Sequence, residues 1–309
     1  METSGLIHDA FVYSSPDEFL AGSLPFLEEG IDRGEPILAA PTQPNALLLQ
    51  KHLGERASGV DWAEDAESHR TVERLGIFLH YIHRHRNAGA TQIRLLGEPC
   101  WPKDGRPGVA EWKRYESFLN VALAPYPVWL VCPYGSDSLA PDIIEDACLT
   151  HPLIGYGEDR KPCGDYLEPA AFARRIDSVR LPRPPQDASE GYFDSATATR
   201  RYIADHAASA GLRGNRLRDA ELAASEIAAN VFQHAADVAR VRTWVGNGTF
   251  TFDIDDTGLG ISDPFAGYAP PEPTAQAGRG LALARRLADV VEIRTTATGA
   301  LVRLHFNLT

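Results

Sequence analysis

Short apolar runs alternate with helix-period stretches through the first half of the chain. Phe11-Val12-Tyr13, Pro36-Ile37-Leu38-Ala39-Ala40, Ile93-Arg94-Leu95-Leu96 and Val128-Trp129-Leu130-Val131-Cys132 have the length and composition of buried strands. Helical patterns fill 17–33, 45–56, 66–88 and 110–124 between them. This alternation predicts βαβ units in a mostly parallel sheet with helices on both faces. Ligands in such sheets sit beyond the carboxyl ends of the strands. Those ends are Pro41-Thr42-Gln43, Gly97-Glu98-Pro99 and Cys132-Pro133-Tyr134.

The second half has a different rhythm. Two helical stretches, 193–210 and 216–235, precede strands near 239–246 and 249–255. A glycine- and proline-rich loop, a helix at 280–289 and strands near 290–296 and 300–307 follow. Phe250, Phe252 and Ile254 alternate with polar residues, as do Val302, Leu304 and Phe306. One sheet face is therefore buried and the other is wet or covered differently. The pattern predicts an α/β sandwich with helices on one face of a mixed sheet. Between the halves, Arg180–Gly191 is proline-rich and then polar, which reads as a spacer rather than an element. The expected division is a domain at 1–180, a linker at 181–191 and a domain at 192–309.

At 309 residues, two cores are the natural expectation, and 44% hydrophobic with 23% charged residues fits a globular protein. The net charge of −12 argues against direct DNA binding and favours partners with basic patches. Cys100, Cys132, Cys148 and Cys163 show no paired spacing, as expected of free thiols in a reducing compartment. Neither a signal-peptide pattern nor an apolar stretch of membrane-spanning length is present, so a cytoplasmic location without a membrane is expected.

Three separated segments carry the candidate chemistry of the second half. Glu226 and Asn230 are four apart on one helical face, and His234 continues the row, while Leu217, Ala224, Ile227 and Val231 form the opposing apolar stripe. An asparagine oxygen suits magnesium, and a glutamate beside it can take a proton from a hydroxyl nucleophile. A solvated helix face is the plain alternative. Asp256 ends a strand and precedes Gly258 and Gly260. Its carboxylate can accept the exocyclic amine of adenine while the glycines let backbone approach a ligand, although aspartate and glycine also make ordinary turns. Gly278, Arg279, Gly280 and Leu281 open a helix whose free amides attract phosphate.

In this order and spacing the three segments resemble the GHKL ATPase superfamily with its Bergerat α/β sandwich, and within it the anti-sigma-factor serine kinases. The resemblance covers roughly 192–309. It implies ATP and Mg2+ as cofactors, with Asn230 as the metal ligand and Glu226 as the catalytic base. It further implies that Asp256 reads adenine and that Gly258, Gly260, Gly278, Arg279, Gly280 and Leu281 surround the nucleotide. The implied partners are a sigma factor and an anti-sigma-factor antagonist phosphorylated on serine or threonine; a homodimer is implied as well. One departure stands out. The family carries a threonine after the glycine of the last strand, and here Gly299 is followed by Ala300. A missing side-chain hydrogen bond is worth about 1 kcal/mol of nucleotide affinity.

The first half is similar to the MEDS sensory domain of bacterial regulators. The matching pieces are His8, Gly34-Glu35, Gly97-Glu98 with Trp101, Tyr115-Glu116 with Asn120, Cys132-Pro133-Tyr134 and Thr150-His151-Pro152. The resemblance implies a RecA-like sheet that has lost its phosphate-gripping loop. Pro41-Thr42-Gln43-Pro44-Asn45 is expected at the position of that loop and has neither its glycines nor its lysine. Asn45 would cap the following helix. Thr42, Gln43, Arg94, Glu98, Trp101, Tyr134 and His151 are the candidate sensor-ligand residues, aromatic and arginine groups suiting a ring with a phosphate. A nucleotide-like metabolite is thus one expected ligand, and a small organic molecule is the other that the family suggests.

Other sites are weaker. His80, His83 and His85 among arginines read as a solvated helix end. Cys148, His151 and Cys163 would make a zinc site lacking a fourth ligand. Cys132 reads as a buried strand-end thiol. His206 lacks the flanking acid-and-proline pattern of a histidine-kinase phosphoacceptor box. The expected function is a metabolite-responsive anti-sigma factor in transcription regulation and signal transduction. The alternative is a non-catalytic regulator whose second half only docks proteins.

Overall fold

The computed structural model describes residues 5–63, 70–102, 107–234, 238–258, 260–269, 279–296 and 299–308. The chain forms two compact units, Met1–Trp101 with Trp112–Phe172, and Pro102–Glu111 with Ala173–Thr309. The elements up to residue 178 are, in order, β1 (Ile7–Tyr13), α1 (Pro16–Arg33), β2 (Ile37–Ala40), α2 (Gln43–Leu53), β3 (Asp61–Trp62), α3 (Thr71–Asn87), β4 (Ile93–Gly97), α4 (Val109–Ala122), β5 (Val128–Gly135), α5 (Pro141–Thr150), β6 (Leu153–Ile154), β7 (Lys161–Pro162) and α6 (Pro169–Ser178).

Among the described residues the strands form a seven-stranded sheet in the order β3-β2-β4-β5-β1-β6-β7. Every neighbouring pair is parallel except β6 with β7. Period-two alternation sorts the side chains onto two faces. Phe11, Leu96 and Val131 pack beneath Phe19, Phe26 and Leu27 of α1 and Leu49 and Leu53 of α2. His8, Cys132 and Tyr134 point to the other face, where α4 supplies Glu116 and Asn120. Ser15 caps α1 by accepting from the Glu18 amide at 3.2 Å, and Gly34 ends it in the left-handed region at φ 64°.

One expectation is corrected here. Pro41–Asn45 follows β2, not the inner strand β1, whose crossover opens the sheet order at its switch point. The turn after β1 is Ser14-Ser15-Pro16, and the Glu18 carboxylate accepts from Ser14 N at 2.7 Å within it.

The later elements are β8 (Ser189–Phe193), α7 (Ala196–Ala210), α8 (Gly214–His234), β9 (Ala239–Gly246), β10 (Thr249–Asp255), α9 (Arg279–Leu287), β11 (Val290–Thr296) and β12 (Gly299–Asn307). They form a five-stranded sheet in the order β11-β12-β10-β9-β8. All of its pairs are antiparallel, so the sheet is not mixed as expected. Asn247 and Gly248, at φ 50° and 71°, make a two-residue turn whose handedness suits the β9–β10 hairpin. The α9 crossover then sets β11 one place out, and β12 returns into the slot beside β10.

The apolar face of this sheet, with Phe250, Phe252, Ile254 and Val302, packs under Ile203 of α7, Ile227 and Val231 of α8 and Leu281 of α9. Its other face is charged and paired rather than wet. Asp253 is fully buried and accepts from Arg242 Nε at 2.9 Å and from Arg303 Nη2 at 2.8 Å. Arg294 and Arg303 also donate to the carbonyls of Val179 and Pro182, at 2.7 and 2.9 Å, stapling the start of the spacer to the sheet. The spacer's last residues, Ser189-Glu190-Gly191, belong to β8. Pairing with β9 overrides their poor strand propensity.

Candidate functional site

Helix α8 fixes Glu226 and Asn230 by burying the residues around them. Ala223, Ala224, Ile227, Ala228 and Val231 are all core residues, so the helix has one rotational setting. Gly280, in the first turn of α9, faces this pair. A Cβ at 280 would stand 2.8 Å from Glu226 Oε2 and 3.2 Å from Asn230 Nδ2. Glycine therefore lets the start of α9 sit directly against the acid and the amide. Arg279 is exposed and Leu281 is buried in the core. Gly278 lies outside the described residues, as does the side chain of His234.

Asp256 lies one residue past β10. Its Oδ1 accepts from Gly258 N at 2.8 Å and from Ala300 N at 3.4 Å, and its own amide donates to the Ala300 carbonyl at 3.0 Å. Backbone groups on both sides thus orient the carboxylate. Gly299 is required beneath it: its φ is 146°, and a Cβ there would overlap the Asp256 carbonyl oxygen at 1.9 Å. Gly260 is also left-handed, at φ 74°. Ala300 is buried and pairs with Thr295 across the β11–β12 ladder. Thr295 Oγ1 accepts from Ile261 N at 3.3 Å, so a threonine hydroxyl is present on the adjacent strand. The first and third segments touch directly. The second shares their core, since Ile254, Ile227 and Leu281 belong to one cluster.

In the sheet of the first half, the residues expected to gather at the strand ends separate into three places. Glu98 closes the carboxyl ends of β1, β2 and β4. It accepts from Tyr13 OH at 2.7 Å, Thr42 N at 2.7 Å, Thr42 Oγ1 at 2.9 Å and Asn45 Nδ2 at 2.9 Å. The amide of Thr42, the residue before α2, is thus bonded to the protein's own carboxylate. Asn45 lies inside α2 and does not cap it, while Gln43 is the first residue of that helix. Arg94 points to the opposite face from Tyr134 and His151. It donates to Glu35 at 2.5 Å, Glu29 at 3.0 Å and the Phe26 carbonyl at 2.8 Å, and it lies 4.7 Å from the Trp129 ring centroid. Trp101, Tyr134 and His151 do meet, with successive ring centroids 6.1 and 5.6 Å apart.

Around His151 lies a cluster of four buried polar side chains, His8, Glu116, Cys132 and His151, whose ligand-type atoms are all within 4.8 Å of one another. Cys132 Sγ is 3.5 Å from His8 Nε2, and His151 Nε2 is 3.5 Å from Glu116 Oε2. Tyr134 donates to Glu116 at 3.3 Å. Burial pushes His8 down to about 3, helped by the charge of His151, and His151 down to about 4. Burial also raises Glu116 and lifts the Cys132 thiol well above its usual range. A cavity of about 360 Å³ borders the cluster at the amino end of β1. It is lined by His8 and Asn120 with Leu6, Ala124, Leu153 and Tyr166.

Every member of this cluster lies in a short sequence motif, but only His151 is among the residues expected at a ligand site. Spacings from 8 to 151 hold no signal of proximity; parallel pairing of β1 with β5 creates it. The trio Cys148, His151 and Cys163 does not form. Cys148 pairs with Cys163, while His151 turns its Nε2 toward Glu116. All four cysteines are free thiols.

The fold is a mostly parallel α/β sheet followed by an antiparallel sheet covered by helices, the architecture of a GHKL-type sandwich. The MEDS family (MEthanogen/methylotroph, DcmR Sensory domain) matches residues 7–152, and the histidine kinase-like ATPase domain matches residues 193–306. The chain is thus a MEDS domain fused to a histidine kinase-like ATPase domain. Comparison with curated proteins gives no match. Among solved structures, the RsbU and RsbW domains of Rv1364c from Mycobacterium tuberculosis are 18% identical over 41% of this chain and 33% of that one, with a TM-score of 0.29. The histidine kinase domain of the Erythrobacter litoralis EL346 blue-light activated histidine kinase is 17% identical over 45% of this chain and 80% of that one, with a TM-score of 0.27. The Acinetobacter baumannii histidine kinase AdeS is 13% identical over 45% and 73%, with a TM-score of 0.26. Among the described residues no helix is long and apolar enough to cross a membrane.

Proposed function

We propose that the chain is a metabolite-responsive anti-sigma factor acting in the cytoplasm. Its C-terminal domain binds ATP with magnesium, sequesters a sigma factor and phosphorylates an antagonist protein on serine. The observation that carries this reading is the seating of Glu226 and Asn230 against the glycine start of α9. That cradle fits a triphosphate, because a side chain at 280 would fill it and the first amides of α9 are the ones a helix leaves unbonded. Bound magnesium would neutralise phosphate charge, with Asn230 offering a hard oxygen ligand. Glu226 takes the proton of the incoming serine hydroxyl, and Asp256, oriented by Gly258 and Ala300, accepts the adenine amine.

Serine rather than histidine transfer is favoured by the sequence around His206, which lacks the acid-and-proline pattern of a phosphoacceptor box. For the sensor, the closed knot at Glu98 and the tethered Arg94 favour a small organic molecule over a nucleotide, held in the 360 Å³ cavity beside His8 and Asn120. Incubation with labelled ATP and the antagonist decides the kinase step. Label on the antagonist, abolished by Glu226→Ala, is expected. Transfer that survives Glu226→Ala removes the assigned base, and ATP binding without transfer leaves a protein-docking role.

A further inference from the structure

His8, Glu116, Cys132 and His151 come from four separate elements of one unit, and their donor atoms converge on a single point. The orientation of both imidazoles is set from behind. His151 Nδ1 lies 2.9 Å from the Ala147 carbonyl, which can only accept, and 3.0 Å from Thr150 Oγ1, whose own proton goes to the Asp146 carbonyl at 3.0 Å, so the proton sits on Nδ1 and Nε2 carries a lone pair. His8 Nδ1 lies 3.0 Å from Asn120 Oδ1. That oxygen is the acceptor end of the amide because Asn120 Nδ2 donates to the Thr150 carbonyl at 2.7 Å. His8 therefore also turns a bare Nε2 inward, toward Cys132.

Within this cluster one buried nitrogen is left over. His151 is fully buried, and its Nε2 has no hydrogen-bond partner among the described residues. An orphaned buried acceptor is costly, and the nearest charged group, Glu116, itself offers oxygen lone pairs when ionised. Histidines that donate Nδ1–H to a carbonyl or amide oxygen while aiming Nε2 inward are the arrangement found behind metal ligands.

We propose that His8 Nε2, Glu116, Cys132 Sγ and His151 Nε2 bind one zinc ion in a closed, four-coordinate site. Donor atoms around tetrahedral zinc stand about 3.3–3.8 Å apart. The Cys132–His8 and Glu116–His151 separations of 3.5 Å fall inside that span, and the widest separation, 4.8 Å, closes with a shift of about 1 Å. One thiolate with two imidazoles excludes magnesium and calcium, which take oxygen sets. Thiolate and carboxylate together balance the double charge of the ion, so the loaded site is neutral in its buried setting. Asn120 is a positioning residue, acting through His8. Both line the 360 Å³ cavity, which places that cavity one hydrogen bond from the ion.

The test is metal analysis and cobalt substitution of the full-length chain. Purified without chelator, it is expected to hold about one zinc per chain. After chelator treatment, Co2+ is expected to give the intense visible bands of a tetrahedral ion and a near-ultraviolet thiolate-to-cobalt band. Cys132→Ser removes the thiolate band, whereas Cys148→Ser and Cys163→Ser keep it. Asn120→Ala keeps the band but weakens Co2+ binding about 10–100-fold. If Cys132→Ser does not fold, X-ray absorption of the wild-type zinc protein gives the answer, with one sulfur and three nitrogen or oxygen neighbours expected. No zinc and no cobalt bands in folded wild-type protein overturns the site. So does a sulfur count other than one, or a thiolate band that follows Cys148.

Discussion

Gly280 on α9 stands directly against Glu226 on α8, with 2.8 Å between the place of a side chain at 280 and the carboxylate. Gly280→Ala should therefore push Glu226 and Asn230 out of position without unfolding the domain, because the two nearest atoms are side-chain ends that can swing aside and Glu226 Cβ, at 3.3 Å, has to give by only a few tenths of an ångström. Helix propensity even favours alanine, by up to about 1 kcal/mol. ATP affinity should fall about tenfold or more, a cost of about 1.4 kcal/mol, while stability in urea is kept. Equal ATP affinity in the variant would show that the pair does not face the nucleotide.

Ala300→Thr restores a hydroxyl beside Asp256. A net hydrogen bond contributes about 1 kcal/mol, so ATP should bind about fivefold more tightly, read by calorimetry. Unchanged affinity would mean that Thr295, opposite Ala300 in the ladder, already fills that role.

Glu98→Ala removes the acceptor shared by Tyr13, Thr42 and Asn45. Glu98 is buried, so several donors lose their partner, and a loss of about 2–4 kcal/mol from the N-terminal unit is expected in denaturant unfolding. A change below about 0.5 kcal/mol would mean that water replaces the carboxylate freely.

Cys148 carries the clearest pH dependence. Burial, and then the Cys163 thiol beside it, push its pKa from the ordinary 9.0 up to about 11. The raised value means that the folded state holds the proton longer than the unfolded chain does. Its contribution to stability is complete below pH 9 and is lost as pH rises towards 11. Alkylation of Cys148 in folded protein should accelerate about tenfold per pH unit from 7 to 10. A rate that levels off by pH 9 would contradict the assigned environment.

Much of this architecture was legible in the sequence because local pattern and tertiary role agree. The stripe of Ala224, Ile227 and Val231 predicts the buried face of α8, and the Phe250-Phe252-Ile254 alternation predicts the buried face of β10. Edge strand β8 was not legible, since Ser189, Glu190 and Gly191 become strand only through pairing with β9. Arg94 was misplaced because a buried arginine in an apolar run gives no sign of which face it takes. Its register partner Trp129 and the acids Glu29 and Glu35 decide that. The meeting of His8, Glu116, Cys132 and His151 depends wholly on strand order, which no local spacing encodes.

Calorimetry of ATP with magnesium against the full-length chain and its Asn230→Ala variant probes the nucleotide site itself. The wild-type chain should bind one ATP, and the variant should bind about 10–100-fold more weakly, as loss of a contact to a charged group requires. Absence of ATP binding by folded wild-type protein, or equal binding by the two, would contradict a nucleotide site built from α8, the Asp256 turn and the start of α9.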